Sequence, residues 1–296
     1  MISAHPGLPQ FDYIKPANLN EAVQFLVSHA SESRPFSGGT DTFVRIRDGF
    51  LTPHYLVDIK ALDGTSELRF DLNSGLTIGA AIPMNRVAAF PDAIKYYPVL
   101  VEAVKSVASY QLRNRATIIG NICNSSPAGD TIGAAIVYNA VLTVYGEDGE
   151  KTIPVRQFFT GPGKNVLKPG DIVLSITFPI PPSGHSGTYL KLGRNKLSDL
   201  SIVGVTALGT KDTSTQSGYR FSFAIASVAP VPFIPVKTEE ILAFKPLSTE
   251  TIQEAAQAAM DSVDPIDDVR ASATYRRYMV RNLVKRAVQT TLTKLG

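Results

Sequence analysis

Two segments of this chain combine glycine with small hydroxyl side chains: RPFSGGTDT at residues 34–42 and a polar stretch at residues 117–130. Each follows an apolar run and offers several backbone N–H groups with no bulky side chain in the way. Successive backbone amides of this kind bind anionic oxygens, so either segment suits a diphosphate. Gly, Ser, Asn and Asp are also ordinary turn formers, and one such segment alone is more often a plain turn.

The glycine pair Gly38-Gly39 and the carboxylate of Asp130 each admit two interpretations. Adjacent glycines cost chain entropy unless a turn needs a positive φ or another group approaches the backbone closely. Asp130 precedes a helical pattern and is typical of an N-cap there, or it accepts a hydrogen bond from a sugar or an amine.

Motifs for several other chemistries are missing from the sequence. No G-x-G-x-x-G follows a predicted strand, no G-x-S-x-G occurs, and the four histidines form no i, i+4 pair. GPGK at residues 161–164 lacks the earlier glycine of a phosphate-binding loop and is followed by Asn165, so it predicts a surface turn. Cys123 is the only cysteine, which excludes an intrachain disulfide and an iron–sulfur cluster held by this chain alone.

Length and composition predict a globular protein with two cores. The chain has 296 residues, of which 44% are hydrophobic and 19% charged, and its mean hydropathy is +0.05. The net charge of +3 is spread along the chain apart from a basic C-terminal group, so nucleic acid is not an expected partner. The first residues lack a signal-peptide pattern, and no run reaches the ~18 apolar residues of a membrane span, so we expect a cytoplasmic protein.

Helix and strand patterns place the first polar segment between a short strand and a helix. Residues 19–26 predict an amphipathic helix with Asn18 and Glu21 as a capping box, and a second helix begins with Asp41 as its cap. Further helices are predicted at residues 99–108 and 131–139, a strand at 55–59, and hairpins at 68–78 and around 146–149.

The richest proline and glycine stretch, at residues 179–187, predicts a domain boundary. Two strands are expected beyond it, at residues 201–208 and 221–228, followed by helices at roughly 237–244, 249–260 and 268–291. Strands that precede helices favour an α+β second domain.

Taken together, these segments resemble a known family. SGGTD at residues 37–41, QLRNxATIxGNI at 111–122, SPAGD at 126–130, LKPGDIVLSI at 167–176 and YLKLGR at 189–194 occur in its order. They are similar to the FAD-binding medium subunit of the xanthine dehydrogenase and carbon monoxide dehydrogenase family of molybdenum hydroxylases. The resemblance continues to the basic closing helix and covers nearly the whole chain.

The resemblance implies a fold and a set of site residues. The implied fold is α+β, with a two-part FAD-binding domain of the vanillyl-alcohol-oxidase (PCMH) type at residues 1–182 and a smaller α+β domain of the CO dehydrogenase flavoprotein type at 183–296. No catalytic acid or base and no metal ligand is implied. The implied cofactor-binding residues are Arg34, Pro35, Phe36, Ser37, Gly38, Gly39, Thr40, Asp41, Ala116, Thr117, Gly120, Asn121, Asp130, Val173 and Lys191.

The resemblance also implies a role for each part of this set. The first loop wraps the FAD diphosphate with backbone amides and the second holds it from the other side, so Gly38 and Gly39 leave room for the anion. Asp130 binds the ribose of the adenosine half. The backbone at Val173 and the side chain of Lys191 border the flavin, where a cation stabilises the negative charge of the reduced ring.

One position departs from the family pattern. The family has Thr-x-Gly-Gly-Asn in the second loop, whereas this chain has isoleucine, Ile119, at the first of those glycines. Either the backbone there is extended and tolerates a β-branched residue, or FAD binds more loosely. Thr42 is a lesser departure, since it replaces an aliphatic residue.

The implied function is that of a flavin-carrying electron-transfer subunit. Electrons would come from two 2Fe-2S clusters on a small subunit, after hydroxylation at a molybdenum cofactor on a large subunit, and would pass to NAD⁺ or another acceptor. A dimer of heterotrimers is expected, and the GPGK segment and Cys123 favour the purine-type members. Two alternatives stay open: a structural subunit that has lost FAD, and a free-standing flavin oxidase.

Overall fold

A computed structural model describes residues 7–195 and 198–296 of the chain. Its first part is a small parallel sheet of order β1-β3-β2, formed by β1 (Asp12–Ile14), β2 (Ser33–Phe36) and β3 (Tyr55–Asp58). Helices α1 (Leu19–Ser28) and α2 (Thr40–Arg47) connect these strands. The predicted helix at residues 19–26 and the strand–glycine–helix arrangement are confirmed.

The two helix starts differ in how they are capped. Asn18 Oδ1 accepts the Glu21 N–H at 2.9 Å, as in the predicted capping box, whereas the Glu21 carboxylate accepts the N–H of Ala17, one residue before the N-cap, at 2.7 Å. The predicted cap of α2 is wrong, because Gly39 occupies the N-cap with φ +74° and Asp41 lies inside the first turn.

The second part is an antiparallel five-stranded sheet of order β4-β5-β10-β6-β7. Its strands are β4 (Leu68–Asp71), β5 (Gly75–Gly79), β6 (Val141–Gly146), β7 (Gly149–Pro154) and β10 (Ile172–Phe178). Both predicted hairpins are present. A third short hairpin, β8 (Phe159–Gly161) with β9 (Lys164–Asn165), contains the GPGK segment as the predicted turn.

Short helices lie between β5 and β6 in the chain. They are α3 (Met84–Ala88), α4 (Pro91–Tyr96), α5 (Pro98–Ser106), α6 (Tyr110–Arg113), α7 (Ile118–Cys123) and α8 (Asp130–Val137). Helix α5 ends before the predicted residue 108, since Ala108 has a left-handed φ of 42°. The polar stretch at residues 117–130 is a loop only in part, because α7 lies within it.

The third part is an antiparallel sheet of order β11-β12-β13 with three helices after it. The two predicted strands and the helices that follow them are confirmed, whereas β11 was not predicted. The strands are β11 (Ser186–Leu192), β12 (Val203–Lys211) and β13 (Tyr219–Ala226), and the helices are α9 (Val236–Phe244), α10 (Thr249–Ser262) and α11 (Ala273–Leu295). Helix α11 begins later than predicted because Ser272 caps it, accepting the Tyr275 N–H at 3.2 Å.

Both faces of this third sheet are buried, each against a different hydrophobic core. Val203, Val205 and Phe223 belong to a core shared with α10 and α11, whereas Leu208 and Ala224 belong to the larger core of the first two parts. Helices α5 and α8 pack on that second face. The side chains alternate between two cores, and the strands therefore join the two halves of the chain. No helix among the described residues is long and apolar enough to cross a bilayer.

Candidate functional site

The first predicted binding segment is the connection from β2 into α2, residues 37–42, which we name the first cradle. Gly39 offers no side-chain cap to α2. Within residues 7–195 and 198–296, the main-chain N–H groups of residues 38–42 donate no hydrogen bond. These N–H groups lie at the positive end of the α2 dipole, an arrangement that suits an anionic ligand.

The second predicted segment, residues 116–121, is the start of α7, and we name it the second cradle. Thr117 is the N-cap, and its Oγ1 accepts the Gly120 N–H at 2.9 Å while its carbonyl accepts the Asn121 N–H at 3.0 Å. In the described part of the chain, the N–H groups of Ile118 and Ile119 find no acceptor. The second cradle therefore also presents unbonded amides, although α7 is short.

The two cradles touch each other. A Cβ placed on Gly38 would lie 2.3 Å from the Arg115 carbonyl oxygen and 3.2 Å from the Ala116 Cα. The turn after β5 joins them, since Ser37 Oγ donates to the Ala80 carbonyl at 2.8 Å and the Met84 N–H donates to the Ala116 carbonyl at 2.8 Å. Segments that are 80 residues apart in sequence thus form one surface.

The protein's own atoms account for both glycines of the first cradle. Gly38 faces the Arg115–Ala116 main chain, and Gly39 combines a φ of +74° with a Phe36 ring that a Cβ would approach to 2.5 Å. The sequence interpretation gave the diphosphate as the reason for their lack of side chains. That reason is not needed, because any side chain at Gly38 would push the two cradles apart.

Three of the predicted residues, Arg34, Pro35 and Phe36, lie in β2 and not in the cradle loop. Arg34 and Pro35 are exposed, whereas Phe36 is buried under Gly39 and the Lys60 ammonium lies 4.8 Å from its ring centroid. Desolvation raises the pKa of Asp41 in the first turn of α2, and Arg45 opposes it. Phe36 therefore supports the cradle from below.

The structure shows the backbone conformation at Ile119, the position that departs from the family pattern. The residue lies inside α7 with a negative φ and only 3% of its surface exposed, in the larger core. The backbone is helical, so the predicted extended conformation is wrong and no left-handed strain arises.

Asn121 ties the second cradle to the next helix. Its Oδ1 accepts the Thr131 hydroxyl at 2.7 Å and the Thr131 N–H at 3.2 Å, so it caps α8 from outside. In the described residues its Nδ2 has no hydrogen bond to another group. Gly120 beside it is exposed, and Ala116 is buried.

Asp130 and Lys191 form one buried ion pair. Asp130 is the first residue of α8, and the N-cap is Gly129, so the N-cap interpretation is wrong. Its Oδ2 accepts Lys191 Nζ at 2.9 Å, and its Oδ1 accepts the Tyr189 hydroxyl at 2.5 Å. Lys191 also donates to the Ser106 carbonyl at 3.1 Å. Desolvation raises the pKa of Asp130, and Lys191 and Tyr189 act against that rise.

Sequence reasoning missed Tyr189 and the residues that hold the SPAGD loop. The signal for Tyr189 was its spacing, because residues two apart on a strand share a face and Tyr189 therefore lies beside Lys191. The Ser227 N–H donates to the Pro127 carbonyl at 2.8 Å and Ser201 Oγ to the Ala128 carbonyl at 3.4 Å. The third sheet therefore fixes the loop that carries Asp130.

Val173 lies in β10 next to a β-bulge and is buried. The bulged residue Leu174 accepts the Ala80 N–H at 2.8 Å through its carbonyl, which connects β10 to the turn that joins the cradles. Within the described residues there is no group of three or more His, Cys, Asp or Glu side chains that could hold a metal ion.

Comparisons with known proteins agree with this arrangement. Residues 9–181 match the family model described as the FAD binding domain in molybdopterin dehydrogenase, and residues 188–291 match the CO dehydrogenase flavoprotein C-terminal domain. The chain therefore belongs to the family of FAD-binding medium subunits of the xanthine dehydrogenase and CO dehydrogenase molybdenum hydroxylases, and it is an oxidoreductase subunit.

Individual relatives match along nearly their full lengths. The carbon monoxide dehydrogenase medium chain of Hydrogenophaga pseudoflava is 30% identical over 280 residues, which cover 95% of this chain and 96% of that protein. The xanthine dehydrogenase FAD-binding subunit of Escherichia coli O157:H7 is 27% identical over 285 residues, covering 96% and 97%. A solved structure of the Hydrogenophaga CO dehydrogenase superposes with a TM-score of 0.93 at 28% identity and covers 98% of this chain and 100% of that chain.

Proposed function

We propose that the chain binds one FAD between its two cradles and carries electrons within a multi-subunit molybdenum hydroxylase. The observation that carries this proposal is the contact between two segments with unbonded main-chain N–H groups, joined at Gly38. A diphosphate is a dianion, and paired helix starts with free amides suit it without any cationic side chain. The residues present therefore fit the cofactor that the family binds.

The parts of the chain divide the work of binding. The amides of the first and second cradles hold the diphosphate, with Phe36 and Thr117 fixing the two backbones. Asn121, through its unbonded Nδ2, and the Asp130–Lys191 pair contact the polar parts of the cofactor, and the backbone near Val173 borders it. When bound, FAD supplies the redox chemistry, and the protein supplies orientation and electrostatics.

Electrons reach this subunit from a partner. Iron–sulfur clusters need several cysteines and this chain has one, so the 2Fe-2S clusters belong to a small subunit. We propose that this chain assembles with a small 2Fe-2S subunit and a large molybdenum-cofactor subunit, as a dimer of such heterotrimers. The activity proposed is xanthine dehydrogenase-like, with NAD⁺ or another molecule as the electron acceptor, and the proposed compartment is the cytoplasm.

The proposed units are a FAD-binding domain at residues 1–182 and a C-terminal domain at 183–296. The stretch between β10 and β11 is the boundary, since it carries no described helix or strand. Limited proteolysis of the full chain tests this division. Cleavage confined to residues 179–185 supports it, and first cleavage inside either core contradicts it.

Absorbance of the purified chain tests the main proposal. We expect a yellow protein with a flavin band at about 450 nm, or a colourless protein that gains the band stoichiometrically when FAD is added. A colourless chain that FAD cannot reconstitute contradicts the proposal and favours a structural subunit.

Coexpression with candidate small and large subunits tests the assembly. We expect substrate-dependent reduction of NAD⁺ only in the complex. Turnover of a substrate by this chain alone would instead identify a free-standing oxidase. Turnover of a substrate other than a purine would overturn the xanthine dehydrogenase assignment and keep the electron-transfer role.

A further inference from the structure

We propose that Tyr189 is a positioning residue that holds Asp130 and Lys191 as one donor–acceptor pair for the pyrimidine edge of the flavin. The inference rests on the proposed FAD site and goes beyond it, because it assigns both charged residues to the same part of FAD. The family resemblance implied that Asp130 binds the adenosine ribose and that Lys191 borders the flavin.

The geometry of the pair shows that Asp130 and Lys191 cannot bind opposite ends of FAD. Asp130 Oδ2 and Lys191 Nζ are 2.9 Å apart, and the side chains are only 7% and 14% exposed. The adenosine ribose and the flavin ring stand at opposite ends of the diphosphate. Two groups in direct contact, each with so little accessible surface, serve one of these ends.

Tyr189 fixes the orientation of this pair. It is 8% exposed, lies two residues before Lys191 on β11, and donates its hydroxyl to Asp130 Oδ1 at 2.5 Å. The Ser106 carbonyl at the end of α5 holds Lys191 from the other side at 3.1 Å. The carboxylate plane and the ammonium therefore have little freedom to rotate.

The unused hydrogen-bonding capacity points to a specific partner. Each Asp130 oxygen accepts one of these bonds and keeps a further lone pair, and Lys191 uses two of its three N–H groups. The pair thus offers one acceptor and one donor side by side. The pyrimidine edge of a flavin presents a ring N–H donor flanked by carbonyl acceptors, and the two patterns are complementary.

A ribose is the weaker match for this arrangement. A carboxylate that binds a ribose accepts hydrogen bonds from its hydroxyls and needs no cation beside it. Here Lys191 lies in direct contact with the carboxylate and keeps one N–H free for an acceptor. A cation is of more use where reduction adds negative charge than beside a neutral sugar.

The affinities for two ligands, FAD and ADP, distinguish a pair that binds the flavin from a pair that binds the ribose. ADP carries the adenosine ribose and the diphosphate but no flavin, so its affinity reports the rest of the site. For the full-length Tyr189→Phe chain, titration calorimetry should show FAD affinity weakened by about tenfold, the scale of a hydrogen bond to a charged group. ADP affinity should stay at the wild-type value. A parallel loss of ADP affinity would place the pair at the ribose and overturn the proposal.

Tyr97→Phe is the matched control. Tyr97 is fully buried and donates its hydroxyl to the Phe178 and Pro179 carbonyls at 3.0 and 3.1 Å, away from the cradles. It should lose stability as Tyr189→Phe does and keep both affinities. Equal losses of FAD affinity in the two variants would reduce Tyr189 to a structural role.

The reduction potential of the bound flavin gives an independent readout. Asp130→Asn should raise the potential, because it removes negative charge beside the ring, and Lys191→Met should lower it. Tyr189→Phe should lower the potential by less than Lys191→Met does. It removes the O–H dipole that partly offsets the negative charge of Asp130. Unchanged potentials in FAD-loaded variants would overturn the proposal. Failure of the wild-type chain itself to bind FAD would instead overturn the proposed function.

Discussion

Gly38 is the point at which the two cradles meet, and a single added methyl group tests that contact. In Gly38→Ala the new Cβ would lie 2.3 Å from the Arg115 carbonyl oxygen, about 1 Å short of ordinary contact at 3.4 Å. Both neighbours are main chain, so the cradles themselves must separate. Overpacking of this kind costs about 1–3 kcal/mol. If this strain destabilises the conformation of the cradles that binds FAD, the affinity for FAD drops by about ten- to a hundredfold.

Fluorescence titration of FAD into the purified apoprotein measures this loss. Gly161→Ala is the matched control, because neither glycine has a positive φ and the nearest atom to a Cβ on Gly161 is 3.9 Å away. The control should bind FAD as the wild type does. Equal affinities for Gly38→Ala and Gly161→Ala would refute the argument that backbone contact between the cradles shapes the site.

Three further outcomes follow from single residues. Ile119→Gly should lower the free energy of unfolding by roughly 3–6 kcal/mol, since it empties a core position inside α7, and an unchanged Tm would contradict the burial of Ile119. Desolvation raises the pKa of the Cys123 thiol to about 12, so a thiol reagent at about pH 8 should label the native chain far more slowly than the unfolded chain. Desolvation acts to raise the pKa of Asp268, but the Arg270 and Ala271 N–H groups and the Arg276 guanidinium outweigh it and lower the pKa from 3.8 to about 2. Because the pKa of Asp268 is lower in the folded state, its carboxylate stabilises the folded protein above about pH 4 and loses this effect as the pH falls towards 2. The Tm difference between wild type and Asp268→Asn should therefore shrink over that range.

Local sequence signals predicted much of the fold. The capping box at Asn18 and Glu21 set the start of α1, and glycine-bearing turns set the two hairpins of the central sheet. These signals are short-range, because each depends on residues within a turn or two of one another. The predicted order of strands before helices in the C-terminal half was confirmed for the same reason.

The errors lie where distant residues decide the conformation. Asp41 looked like a cap, but Gly39 takes that place because the Phe36 ring and a left-handed φ leave room for no side chain there. Residues 118–123 looked like loop because of their glycine and asparagine, yet Thr117 caps them and the core buries Ile119. A single sequence does not show which distant residues will pack against these positions.

The candidate site depends on the same kind of distant contact. Its anion-binding groups are main-chain amides, which every residue carries, so sequence can mark them only through the glycines and caps that shape the backbone. Its charged pair joins α8 to β11 on the face of the third sheet that packs against the larger core, and Tyr189 secures it from the strand side. Because a bound cofactor stabilises the folded state by mass action, a ligand that contacts both cradles and this pair also stabilises the packing of α8 on the third sheet. Cofactor binding and the packing of α5 and α8 on the third sheet are therefore expected to be lost together when the chain is heated.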